Sequence, residues 1–181
     1  MKINYVNISK QSVEQEKKLV EIFKKCLKKS VFINGDEVLK FEKNVSKMCD
    51  TKYAVALNSG TDALTLSLKI LGVSKGDEVI TPPNSFISST SSIVHVGAKP
   101  IFVDVMDDQN IDPKKIEKKI TKKTKAIMPV HLTGRVCEMN QIMKISKKYN
   151  IPVIEDAAQS IGSKYNNKKA GSFGDIGCFS T

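Results

Sequence analysis

Tryptophan is absent from this chain of 181 residues, and aromatic residues together make up only 6% of it. A core built from such a sequence rests on Ile, Val, Leu and Ala, and at 40% apolar content one real core is within reach. The four cysteines, Cys26, Cys49, Cys137 and Cys178, stand far apart and form no CxxC pair. That excludes structural zinc spacing and the framework of a small secreted scaffold, and reads as reduced thiols in a cytoplasmic protein. No apolar run approaches the ~18 residues of a membrane span. The opening MKINYVNISKQSVEQEKK lacks the apolar stretch of a signal peptide. No phosphate loop closed by GK[ST], no GxGxxG and no GxSxG elbow occurs, so the common nucleotide and serine-hydrolase signatures are missing. Only two histidines are present, and around His131 no Cys or acid lies at ligand spacing, so no metal site is expected.

Negative charge is also in short supply, with 29 Lys and Arg against 19 Asp and Glu for a net charge of +10. A nucleic-acid partner is one reading of that excess. The lysines, however, fall on helical outer faces (Lys17, Lys18, Lys24, Lys25, Lys28, Lys29) and in connections (Lys114, Lys115, Lys118, Lys119, Lys122, Lys123). They are not interleaved with stacking aromatics as a single-strand binder requires. A solvated lysine surface is the expectation, with neither a nucleic acid nor a membrane as partner.

The pattern along the chain is one of alternation. Residues 12–29 read as an amphipathic helix capped by Ser12, with Gln15 at capping-box spacing and Val13, Leu19, Ile22, Phe23, Cys26 and Leu27 in a stripe. Asn34-Gly35 marks a turn, and residues 36–48 a second helix with Val38, Leu39, Phe41 and Val45 inward. From Tyr53 onward, short apolar strands (YAVALN, EVIT, KPIFVDV, TKAIMPV, IPVIE) alternate with helices over residues 59–72, 84–97, 112–120 and 137–150. Strands apolar on both faces with helices between them describe an α/β fold, a mostly parallel sheet covered by helices. Residues 1–50 form an N-terminal helical segment in this reading, and 51–181 the α/β domain.

In such sheets ligands collect at the carboxyl ends of the strands. After YAVALN comes Asn58-Ser59-Gly60-Thr61-Asp62 at a helix start, where a glycine, a hydroxyl and free N–H groups suit a phosphate; an ordinary capping turn has the same composition. After EVIT comes Phe86, either a flat platform for an aromatic ligand or plain core. After IPVIE comes Asp156, costly at the end of a buried strand without a partner, with Gln159 three residues on. A cationic ring nitrogen is one such partner; a helix cap or buried salt bridge is another. His131, after TKAIMPV, is read as a satisfied structural histidine, with a catalytic base as the alternative.

Taken together, NSGTDALTLSLKILG, GDEVITPPNSFIS, KPIFVDV, TKAIMPVHLTGR and VIEDAAQSIGSKYNNKKAGSFGDIGCFS resemble, in this order and spacing, the DegT/StrS-type sugar aminotransferases. These are fold-type-I enzymes dependent on pyridoxal 5′-phosphate (PLP), and the likeness runs from NGDEVLKFE to the last residue. The resemblance implies that Gly60, Thr61 and Ser180 bind the PLP phosphate. It implies that Phe86 stacks on the pyridine, that Asp156 pairs with the ring nitrogen and that Gln159 bonds the ring hydroxyl. Family members place their Schiff-base lysine in F-S-x-x-x-x-K; after Phe179-Ser180 only Thr181 remains here, so that lysine would lie about four residues further on. The resemblance therefore implies a truncated large domain, without a catalytic residue of its own and without the smaller C-terminal domain.

The activity implied is transfer of an amino group from an amino acid to a nucleotide-linked keto sugar, for polysaccharide or amino-sugar biosynthesis, in a cytoplasmic homodimer. A PLP-dependent sugar dehydratase of the same family, with histidine at the lysine position, is the nearest alternative. A non-catalytic fragment that needs a separate C-terminal half, and a basic nucleic-acid binder, are the others.

Overall fold

The computed structural model describes residues 7–181, apart from the side chain of Gln11. The expectation about the chain's first six residues lies outside that range. The chain divides into two compact units, Met1–Glu42 and Lys43–Thr181.

Helix α1 (Ile8–Lys29) begins earlier than expected. Asn7 is its cap, accepting from the Lys10 N–H at 3.2 Å, while Ser12 lies inside the helix with its hydroxyl bonded back to the Ile8 carbonyl. Asparagine caps as well as serine does, and its position one turn upstream wins. The stripe of α1 is present but exposed, Phe23 at 61%. Helix α2 (Asp36–Cys49) departs from expectation in the same way: Leu39 and Phe41 are exposed, and Val38 and Val45 are only half-buried. Helical periodicity predicts which side chains share a face and leaves open whether anything covers that face.

In the second unit the helices are α3 (Gly60–Ile70), α4 (Ile87–His95), α5 (Pro113–Ile116, prolonged by a 3₁₀ turn to Lys119) and α6 (Met139–Tyr149). The strands are β1 (Glu78–Thr81), β2 (Lys99–Phe102), β3 (Thr124–Ile127), β4 (Ile154–Asp156), β5 (Lys164–Tyr165), β6 (Lys168–Lys169) and β7 (Ile176–Cys178). Strands β2, β1 and β3 pair in parallel in that order, and β4 pairs in parallel with β7. Parallel bridges from Ile127 to Val153 and from Val130 to Asp156 carry β3 onto β4, so the described order is β2-β1-β3-β4-β7. Strands β5 and β6 form a hairpin inside the glycine-punctuated stretch, where the sequence pattern indicates no strand. Its turn residues Asn166 and Asn167 both take positive φ, as a two-residue hairpin turn requires.

Alternate residues of the strands feed two cores. Ile80, Ile127 and Val153 join Ile116, Met139 and Ile142 on the α5–α6 side, while Val79, Ala126, Met128 and Ile154 join Leu64, Leu68 and Ile93 on the α3–α4 side. This is the physical content of strands apolar on both faces: each face of the sheet carries its own helices. Helix α3 ends in paired 6→1 and 5→2 hydrogen bonds, Val73 N–H to Leu68 O and Gly72 N–H to Lys69 O, with Gly72 at φ 75°.

One expected strand is not formed. Residues 53–58 join no ladder, and Tyr53, Val55 and Leu57 are exposed. Apolar composition supplies a surface that prefers burial; a strand also needs a neighbouring backbone in register. The expected strand 99–105 likewise shortens to Lys99–Phe102, and the expected helix 84–97 shortens to Ile87–His95.

Candidate active site

Strand β4 ends in two adjacent acids, Glu155 and Asp156, both buried. Successive strand residues point to opposite faces, so the two carboxylates meet different surroundings. Asp156 receives the Ser89 hydroxyl on Oδ2 at 2.6 Å and the Ala158 N–H on Oδ1 at 3.3 Å. Its carbonyl accepts from the His131 N–H at 3.0 Å, which fixes the strand tip beside the turn that comes after β3.

Ser89 belongs to the first turn of α4, and that turn reaches a second partner. The Ser88 hydroxyl lies 2.9 Å from the Thr61 hydroxyl at the start of α3. Ser59 caps α3 by accepting from the Asp62 N–H at 3.1 Å. The N-terminal end of a helix presents N–H donors and the positive end of its dipole, which suits an anion. A Cβ on Gly60 would sit 2.9 Å from the Ser180 Cβ. Only glycine lets the helix start and the segment after β7 approach so closely. Gly60, Thr61 and Ser180 therefore share one corner, and the first turn of α4 links that corner to Asp156.

Phe86 is the residue on which α4 begins, and its ring is 71% exposed. That exposure sets it outside the core, at the start of α4. Gln159, in the exit loop of β4, is also exposed, and its Oε1 accepts from the Thr133 N–H at 2.7 Å. That contact assigns the amide orientation: the oxygen faces the 132–134 turn, and the NH₂ group is left as a donor. Five of the six expected residues are tied to one another through α4 and the strand tips. Gln159 is tied to the 132–134 turn, which follows His131 at the β4 tip, and no hydrogen bond among the described residues is seen from its side chain to Gly60 or Ser180.

Three residues of the site were not anticipated. Ser88 and Ser89 were passed over inside the expected helix 84–97, yet they are its contacts to Thr61 and Asp156. The spacing from Phe86 was the available signal, since positions two and three residues on lie in the same helical turn. Glu155 was also missed. Its Oε1 accepts from the N–H groups of Phe173 (2.6 Å) and Gly174 (2.7 Å), and its Oε2 from the Gly171 N–H (2.8 Å) and His131 Nε2 (2.9 Å). The Cys137 N–H donates to His131 Nδ1 at 3.2 Å, which puts the ring proton on Nε2. His131 is thus the satisfied structural histidine, and Glu155 the pin for the loop that leads into β7.

Burial raises the ionisation range of the nearby thiols. Cys178, with Ser67 at 3.3 Å, is pushed up to about 11, chiefly by desolvation, and the charges of Asp156 and Glu155 add to the rise. Cys137 is raised further by its deeper burial. Neither is a nucleophile at neutral pH. Among the described residues, no group of His, Cys, Asp or Glu could hold a metal ion, and no helix is long and apolar enough to cross a membrane.

The model of the DegT/DnrJ/EryC1/StrS aminotransferase family matches residues 13–181. The chain belongs to that family. It is 42% identical over 98% of its length to a dTDP-3-amino-3,6-dideoxy-alpha-D-galactopyranose transaminase of Aneurinibacillus thermoaerophilus, of which it covers 49%. A family aminotransferase from Brucella abortus superposes with a TM-score of 0.92 at 32% identity, covering 98% of this chain and 50% of that one. NtdA of Bacillus subtilis, solved with bound cofactor PMP, superposes with a TM-score of 0.85 at 36% identity over 94% of this chain and 40% of that one. The chain spans about half the length of the curated relatives it matches. Its fold is accordingly the α/β fold of the fold-type-I aminotransferases, and the strand tips of this DegT-family chain carry the candidate site.

Proposed function

We propose that this chain is the cofactor-holding part of a PLP-dependent aminotransferase that acts on a nucleotide-linked keto sugar, in polysaccharide or amino-sugar biosynthesis. The observation that carries the reading is Asp156: a buried carboxylate at a strand tip, bonded by a hydroxyl and one N–H, and joined through α4 to a glycine-lined helix start. Such a carboxylate calls for a cationic partner, and a protonated pyridine supplies one. The helix start suits the phosphate of the same molecule.

Bound PLP supplies the electron sink through which an amino group passes from an amino acid to a ketone. The protein's part is binding and orientation. Gly60, Thr61 and Ser180 hold the phosphate. Phe86 lies against the ring and shields it from water on that face. Asp156 keeps a proton on the ring nitrogen, and the NH₂ group of Gln159 donates to the ring oxygen. The relatives named for dTDP-, GDP- and UDP-linked sugars support a nucleotide sugar as acceptor. We further place the protein in the cytoplasm, where its free cysteines stay reduced, and assign it a homodimer, for which the exposed apolar stripe of α1 offers surface.

The test is titration of the chain with PLP, monitored by absorbance. Binding that weakens in Phe86→Ala and in Asp156→Asn, but not in an exposed change at the far end of α3 such as Ile70→Ala, supports the site. Equal affinity in all of them sinks it. For the whole activity, the chain is combined with the C-terminal half of a relative and supplied with glutamate and nucleotide keto sugars; mass spectrometry then reports amino transfer.

A further inference from the structure

We infer that Ser89, backed by Ser85, is a positioning residue that orients the Asp156 carboxylate toward the ring nitrogen of PLP. The inference rests on the proposed cofactor site and adds residues that the site's proposal does not require.

An ionised carboxylate only accepts, so across the 2.6 Å contact Ser89 must donate its single hydroxyl proton to Asp156 Oδ2. The Ser89 oxygen is then left to accept, and across the 2.7 Å contact Ser85 must be the donor. The direction of the whole relay, Ser85 to Ser89 to Asp156, is set by the carboxylate at its end. Donors in series strengthen one another in a low-dielectric interior. Ser89 is 1% exposed, so no water substitutes for its hydroxyl.

The geometry explains a local oddity. Serine is an indifferent helix former, and a fully buried serine in α4 needs a partner to offset its desolvation. Ser89 has one, and it is the group that must not rotate. With Oδ2 held by Ser89 and Oδ1 by Ala158, the plane of the carboxylate is set before any ligand arrives. Preset acceptors bind better than those that must be ordered on binding. Phe86 stands on the same turn of α4, so one rigid element sets both the face on which the ring lies and the acceptor for its edge.

The experiment uses the 181-residue chain, PLP labelled with ¹⁵N in the ring, and thermal unfolding without PLP as the control for folding. Ser89→Ala is expected to weaken PLP binding about tenfold, the size of one lost hydrogen bond to a charged group. It is also expected to move the ring ¹⁵N resonance toward that of free PLP at the same pH. Ser89→Thr restores both, and Ser85→Ala weakens binding about twofold, since it removes only the outer donor. A Ser89→Ala chain that melts lower but keeps both its affinity and its ¹⁵N shift has lost a merely structural contact, and the inference is overturned. Where Ser89→Ala does not fold, Ser85→Ala decides, and unchanged affinity there overturns the inference equally. Asp156→Asn separates the two levels. If it changes affinity and shift while Ser89→Ala changes neither, only the positioning role falls. If Asp156→Asn is also without effect, or the unsubstituted chain binds no PLP, the cofactor site falls and takes the inference with it.

Discussion

Glu155 and Asp156 are neighbours on one strand, buried alike, yet they sit in opposite chemical states. Glu155 accepts four hydrogen bonds, two on each oxygen, as many as a carboxylate has sites for. Asp156 accepts two among the described residues, one on each oxygen. A saturated buried acid has nothing left to offer a ligand and serves the fold. A half-satisfied one is costly to the fold and keeps acceptor capacity for something else. Both are acids ending an apolar strand in the sequence, and counting donors is what separates the pin from the site.

The largest effect that can test this contrast is on stability. Glu155→Ala leaves three loop N–H groups and His131 without their acceptor, and is expected to cost about 3–5 kcal/mol, since each buried donor left unsatisfied costs about 1–3 kcal/mol and some can relax toward other acceptors. Urea unfolding measures it, and a loss under about 1 kcal/mol would show that the loop into β7 is held by other means. Asp156→Asn is the mirror image. Unfolding without PLP should stay within about 1 kcal/mol of the unsubstituted chain, because the amide keeps an acceptor for Ser89 and removes a buried charge. PLP affinity should fall roughly tenfold or more. A large loss of stability in Asp156→Asn would erase the distinction between the two acids.

Phe86→Ala comes next. Its exposed ring contributes little to the core, so stability should change by no more than about 0.5 kcal/mol. PLP binding should lose about 0.5–1.5 kcal/mol, the range for an aromatic pair. A stability loss larger than the binding loss would make Phe86 a core residue after all.

The smallest effect is electrostatic. The Cys178 thiol ionises near 11 rather than at its ordinary 9.0, and the Asp156 charge contributes more to that rise than Glu155 does. A thiol raised in the folded state contributes stability that is present in full below about pH 9 and is lost as pH rises through about 11. Asp156→Asn should therefore lower the thiol's ionisation range and shift this alkaline loss downward. Thiolate absorbance against pH reads it, and a shift upward would contradict the charge assignment.

Much of the molecule is legible in its sequence. The order of elements from β1 to β4 comes from apolar runs at helical and strand length, whereas the β5–β6 hairpin left no such run, and Gly60, Thr61, Phe86, Asp156 and Gln159 stand out because each lies just past the end of an apolar run. The failures have a common cause. Ser12, the inward faces of α1 and α2, and the strand over residues 53–58 were inferred from local pattern, but each depended on what lies alongside. Ser89 and Glu155 were invisible for the complementary reason: their partners stand 67 and between 16 and 24 residues away.

By itself, then, the sequence determined the elements of the α/β layers, the family, and the residues at the strand tips, because hydrophobic period and turn chemistry are local properties. Tertiary structure alone decided which buried acid is closed and which is open, and that the first turn of α4 joins Thr61 to Asp156. Hydrogen-bond saturation is a count of partners in space, and distance along the chain carries no record of it.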